Sequence, residues 1–180
     1  SPDITFHSGN PLTANDFKTA IDWAQDPANE SHYLQRWEAF TGVEVIDDMT
    51  FRITTDEPFP LIDQRMAELH PVDTALIDEI GWEEYEAAPS GTGPFKFVEW
   101  VRGERLVLER NENYWRNDVQ VQEVVFRFMP EFSSRLAALL AGEIDVVKDI
   151  PVDSISNVEE SGEARVEAIP SSRVNYVALV

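Results

Sequence analysis

Ser90-Gly91-Thr92-Gly93-Pro94-Phe95-Lys96-Phe97-Val98-Glu99-Trp100-Val101-Arg102-Gly103-Glu104-Arg105-Leu106-Val107-Leu108-Glu109-Arg110-Asn111-Glu112-Asn113-Tyr114-Trp115 is the stretch on which the fold turns. Phe95–Val101 and Glu104–Arg110 are rich in β-branched, aromatic and long side chains. They flank Arg102-Gly103, where glycine supplies the positive φ of a tight turn, so a β-hairpin is predicted. Gly91-Thr92-Gly93-Pro94 invites comparison with a phosphate-binding loop, whose backbone N–H groups point at an anion. It lacks the Lys-Ser/Thr ending, and it reads as a structural turn whose glycines adopt conformations closed to other residues, with Pro94 opening the strand. Asn111 and Asn113 are suited to bonding the backbone of their own turn, with Tyr114 and Trp115 packed against the body of the protein.

Working outward, Thr13-Ala14-Asn15-Asp16 reads as a helix start, with Asp16 near the positive end of the helix dipole and Phe17, Ala20, Ile21 and Ala24 at helical spacing. That helix ends near Asp26-Pro27. A short helix is expected over His32–Phe40, then a hairpin of Val43–Ile46 and Thr50–Thr54 around Asp47-Asp48. Pro60–Leu69 reads as a helix and Thr74–Tyr85 as helix plus loop. Beyond the quoted stretch, Val121–Met129 alternates as a strand. Phe132–Ala141 places Leu136, Leu139 and Leu140 on one side of a helix stopped by Gly142. Ile144–Val147 is expected as a short buried strand, Pro151–Glu159 as a helix, and Ala164–Ile169 and Val174–Leu179 as closing strands. Helices alternating with strands give the α/β class. The apolar run Tyr176–Val180 reads as an interrupted strand, which makes a fragment of a longer protein the expectation.

Forty-three per cent hydrophobic residues, with ten Phe and five Trp among 180, point to a folded protein. With no cysteine, disulfides, thiolate metal sites and thiol nucleophiles are excluded. The net charge of −20 repels phosphate backbones and anionic bilayers, so nucleic acid is not an expected partner. Such an acidic, lysine-poor surface fits adaptation to high salt, where screening relieves self-repulsion, and equally fits an ordinary acidic secreted protein. The acidity is uneven: residues 1–90 carry nineteen acids against four bases, and residues 91–180 fifteen against ten. The halves are read as belonging to different lobes. The amino terminus lacks the basic-then-apolar pattern of a secretory signal.

Five segments, in order, resemble the extracytoplasmic solute-binding proteins of peptide and nickel ABC importers, the family 5 type that includes oligopeptide- and dipeptide-binding proteins. Gly9-Asn10-Pro11-Leu12-Thr13-Ala14-Asn15-Asp16-Phe17 is similar to "G-x-P-L-T-A-x-D-V", and Val43–Thr55 to "V-x-x-x-D-x-x-T-x-x-I-x-L". Ser90–Phe97 resembles "G-T-G-P-Y-x-F" with Phe95 in place of Tyr, Leu108–Trp115 resembles "L-x-R-N-x-x-Y-W", and Arg135–Asp145 carries "L-x-x-G-E-x-D". The resemblance implies a partial periplasmic-binding-protein-like (class II) fold, a mixed sheet with flanking helices plus part of an extra small α/β domain. Residues 1–90 would belong to that small domain and residues 91–180 to the first, sheet-containing lobe, the amino-terminal segment and carboxy-terminal lobe of the parent being absent. It further implies a hinged, monomeric parent, membrane-tethered outside the cytoplasm, that closes on a solute and delivers it to the permease. A peptide is the leading solute, with a nickel chelate, glutathione or a sugar as others.

Candidate solute-binding residues follow from the same resemblance: Tyr33 and Trp37 before the first hairpin, His70 and Asp73 in the loop after a helix, and Arg173, Asn175 and Tyr176 near the crossover between lobes. Each is set against a plain surface role. Arg173 suits either bidentate pairing with a ligand carboxylate or a structural ion pair. The side chains that hold a peptide's termini would lie largely in the other lobe. His7, His32 and His70 share no spacing that aims two of them at one metal. The pairs Asp47-Asp48, Asp56-Glu57 and Glu83-Glu84 match no calcium loop and read as solvated faces. No nucleophile motif, cofactor motif or metal cluster supports an enzyme. The rival reading is a sensor or protein-interaction domain that keeps the fold without a small-molecule pocket.

Overall fold

A computed structural model describes residues 4–168 and residue 170. The chain divides after Phe126 into two compact units. In the first, helix α1 (Ala14–Gln25) begins where the sequence predicts. The Asp16 carboxylate accepts the N–H and hydroxyl of Thr13 at 2.7 and 2.9 Å, and its other oxygen takes the Thr74 N–H at 3.0 Å. One buried acid therefore starts a helix and ties it to a segment 58 residues away.

The apolar stripe of α1 faces helix α2 (Leu34–Trp37) and an antiparallel hairpin of β1 (Gly42–Asp47) and β2 (Thr50–Thr54). Ile21, Ala24, Trp37, Phe40 and Leu69 form the buried core, flanked by Val43, Ile53, Phe59, Ile62 and Met66. Phe17 stacks on Phe51 with centroids 5.4 Å apart. The β1–β2 turn is held by the Met49 N–H on Asp47 Oδ1 at 2.9 Å, the local bonding that favours Asp in turns. Helix α3 (Ile62–Ala67) follows, then α4 (Thr74–Ile80) and α5 (Trp82–Ala87). The region expected as helix plus loop is thus two helices, separated by Gly81 at φ +84°.

Strands β3 (Phe95–Val101) and β4 (Arg105–Arg110) form the predicted antiparallel hairpin, with a register shift between Phe97 and Glu99. β5 (Glu123–Arg127) joins β4 to complete a three-stranded sheet. Gly103 turns the hairpin at φ +76°, and no atom lies within 4 Å of where a Cβ would stand. Gly103→Ala is therefore expected to cost about 1 kcal/mol, from backbone strain alone, measured as a shift in denaturant midpoint. Gly91 and Gly93, by contrast, are not left-handed, which corrects the expectation that their φ angles demand glycine. Trp115 is also 47% exposed rather than packed away.

The second unit contains α6 (Phe132–Leu140), stopped by Gly142 at φ +69°, and a 3-10 turn (Val152–Ser154) leading into α7 (Ile155–Ser161). Among the described residues, Ala138 of α6 and Val158 of α7 are its buried ones. Ile144–Val147 is not a strand: Val146 is 84% exposed and the segment pairs with nothing among the described residues. Residues 164–168 are likewise irregular. A strand exists only through its ladder partner, and a short apolar run does not name one. The strand expected over Val174–Leu179 lies outside the described residues. Among the described residues no helix is long and apolar enough to cross a membrane.

Candidate functional site

The densest polar constellation surrounds the loop that feeds β3. All five of its consecutive carbonyl oxygens are held. Ser90 O accepts the Tyr85 hydroxyl at 2.7 Å, Gly91 O the His7 N–H at 2.8 Å, and Thr92 O the Trp115 indole N–H at 3.2 Å. Gly93 O accepts both His7 Nε2–H and Asn111 Nδ2–H, each at 3.0 Å, and Pro94 O accepts the Asn111 N–H at 2.9 Å. The Gly91 N–H donates in turn to His7 Nδ1 at 3.2 Å. Asn111 also closes its own turn, taking the Asn113 N–H on Oδ1 at 3.1 Å. The glycine-rich loop and the Asn111–Trp115 turn are thus two halves of one scaffold, and the phosphate-loop alternative is left without free N–H groups at Gly91.

Behind the loop lies Asp73, fully buried. Its Oδ2 accepts the hydroxyls of Ser8 and Ser90 at 2.5 and 3.0 Å, and its Oδ1 accepts Asn10 Nδ2–H and the Leu76 N–H at 2.9 and 3.1 Å. The last of these caps α4. The Asp73 N–H donates to the Tyr85 hydroxyl oxygen at 3.3 Å. Burial pushes the Tyr85 phenol above its usual value of 10.0, with the charges of Asp73 and Asp16 adding to the rise, so the hydroxyl keeps the proton it donates to Ser90 O. Burial likewise holds the His7 imidazole below 6.5, aided by Lys96 and opposed by the bond to Gly93. This network joins the amino-terminal segment, α4, α5 and the β3 loop, and its donors and acceptors are satisfied internally. Its chemistry is structural.

Open space lies elsewhere. A polar concavity of about 270 Å³ is bounded by Arg110, Glu112, Tyr114, Asn117, Asp118 and Gln120. An apolar one of about 440 Å³ is lined by Phe51, Ile53, Thr55, Phe59, Ile62 and Met66. The apolar space suits a hydrophobic side chain, but the Thr55 hydroxyl is its sole side-chain polar group, too little to orient a charged solute. Neither space is lined by Tyr33, Trp37, His70 or Asp73, the described residues among those expected to bind solute. Tyr33 and His70 are exposed, with the Arg36 guanidinium 5.0 Å from the centre of the Tyr33 ring. Trp37, at 4% exposure, is a core residue, and Asp73 has its lone pairs occupied by four donors, so neither presents a face to a solute. Arg173, Asn175 and Tyr176 lie outside the described residues. Among the described residues no group of three or more His, Cys, Asp or Glu is placed to hold a metal. His7, Ser8, Tyr85 and Ser90 had no local signal: their partners are brought to them by the fold.

The family model for bacterial extracellular solute-binding proteins, family 5 middle region, matches residues 1–180. The chain belongs to this family. It is 26% identical over 183 residues to the glutathione-binding protein GsiB of Pectobacterium atrosepticum, covering 99% of this chain and 35% of that protein. It is 25% identical over 190 residues to the oligopeptide-binding protein OppA of Bacillus subtilis, covering 92% and 35%. Among solved structures, the ABC transporter substrate-binding protein CtaP of Listeria monocytogenes aligns with a TM-score of 0.80 at 27% identity, over 89% of this chain and 34% of that one. NikZ of Campylobacter jejuni, solved in complex with Ni(L-His), aligns at 0.74 and 26% identity, over 81% and 30%. The partial periplasmic-binding-protein-like α/β fold that the resemblance implies is therefore the fold of the chain, which spans about a third of the length of these relatives.

Proposed function

We propose that this chain is part of the solute-capturing component of an ABC importer, working outside the cytoplasm by reversible, non-enzymatic binding and delivery to a permease. The observation that carries the reading is the family match across all 180 residues, joined to a substrate-binding-protein fold at a TM-score of 0.80. The names of the relatives favour a peptide or peptide-like solute, with glutathione and a nickel–histidine chelate as specific candidates; a sugar is kept as a further candidate on the sequence reading alone. Residues 1–90 are assigned to the small extra domain and 91–180 to the sheet-bearing lobe of a monomeric, membrane-tethered parent. Val98 and Trp100 on β3 and Val125 and Phe126 on β5 are about half exposed, which suits a sheet that other parts of the parent cover. Tyr33, His70, Arg173, Asn175 and Tyr176 remain the proposed solute contacts, and the acidic surface is proposed to serve a high-salt environment.

A thermal-shift screen of the full-length protein against peptides, glutathione, nickel–histidine and sugars, at low and high salt, tests this. One class is expected to raise the apparent stability, by about 2.7 kcal/mol at a hundredfold excess over Kd. If no class shifts the full-length protein, the sensor or protein-interaction reading replaces capture.

A further inference from the structure

We infer that His7 is an acid-sensitive clasp: its neutral imidazole holds the Gly91 N–H to the amino-terminal segment, and a proton on Nδ1 releases that bond. The geometry requires one tautomer. Nε2 faces the Gly93 carbonyl at 3.0 Å and must carry the hydrogen, while Nδ1 faces the Gly91 N–H at 3.2 Å and must present its lone pair. With the backbone bond from the His7 N–H to Gly91 O, one residue reads both ends of the Gly91–Gly93 turn. A second proton sets Nδ1–H against Gly91 N–H, donor against donor. The Gly93 contact survives, and Asn111 still holds that carbonyl, so the opening is local to Gly91.

The charged groups around the ring agree with this. Lys96, from β3, is the charge felt by the imidazole, and it disfavours the cation. Asp73, at the start of α4, and Tyr85, on α5, bond Ser8 and Ser90, the neighbours of His7 and Gly91, and neither bonds the ring. No carboxylate among the described residues bonds either ring nitrogen to offset burial. Because burial holds the folded imidazole below 6.5, the clasp's stabilisation is complete above about that pH and is lost as pH falls through the lower folded value. The device needs no solute and stands whether or not the capture reading holds.

The test is a nitrogen-15 NMR titration of the full-length protein from about pH 7.5 to about pH 5, followed at the His7 ring and by amide exchange at Gly91. The Nε2–H tautomer is expected at the upper end. The ring should protonate with a midpoint below 6.5, and the protection of the Gly91 amide, taken relative to its intrinsic exchange rate at each pH, should fall in step. His7→Gln offers Oε1 as acceptor and Nε2–H as donor without titrating, and is expected to keep Gly91 protected across the range. A midpoint at or above 6.5 overturns the inference, as does the same acid-induced loss of Gly91 protection in H7Q. If H7Q does not fold, the parent decides alone: Gly91 protection that fails to follow His7 protonation overturns the clasp.

Discussion

Asp73→Ala is expected to lower the stability of the full-length protein by about 3–5 kcal/mol, because four donors, that of Ser90 itself buried, lose their buried acceptor and α4 loses its cap. The donors are the hydroxyls of Ser8 and Ser90, the Asn10 amide and the Leu76 N–H, gathered from three separate segments onto a fully buried side chain. Asp73→Asn should cost less than half as much. Its oxygen can stand at the Oδ1 position, where both partners are N–H groups that can only donate. Its amide nitrogen then replaces Oδ2, where both partners are hydroxyls able to rotate and accept. Denaturant midpoints of the two variants check this ordering. A loss below about 1 kcal/mol for the alanine variant would mean that water substitutes freely for the carboxylate and that the network is not a keystone.

The same network marks where sequence reading stops. The start of α1 was legible because Thr13 and Asp16 bond each other three residues apart, and the β3–β4 hairpin because Gly103 and the strands beside it are contiguous. Asp73 reaches Asn10 and Ser8 across 63 and 65 residues, and His7 reaches Gly91 and Gly93 across 84 and 86. A polar residue in a loop reads locally as exposed, and only the closed fold supplies the donors that bury it. Histidine spacing speaks to metal sites and not to a ring whose partners are backbone groups. Ile144–Val147 failed for a related reason, since four apolar residues carry too short a pattern to separate a strand from an irregular segment.

Trp37→Ala is expected to be of comparable severity, about 3–5 kcal/mol, as for large aromatic side chains removed from a packed core. Helix α2 spans four residues, too few for periodicity to say which side faces inward, so the sequence sets Trp37 between cleft wall and plain surface and does not reveal its burial. The structure places it inside, 5.5 Å from the Phe40 ring and among Ile21, Ala24 and Leu69. Its backbone is fixed as well: Gln25 Nε2–H donates to the carbonyls of Trp37 and Phe40, at 2.7 Å each. Trp37→Phe keeps an aromatic ring in the core and leaves a smaller void, so its loss should be roughly half that of the alanine variant. Solute affinity separates the two roles. A core residue gives a Phe variant that melts earlier yet binds any solute found for the full-length protein with unchanged Kd at a temperature where it is folded. A variant with unaltered stability and weakened binding would instead put Trp37 back in the cleft, and α2 would have to turn its indole outward in the parent.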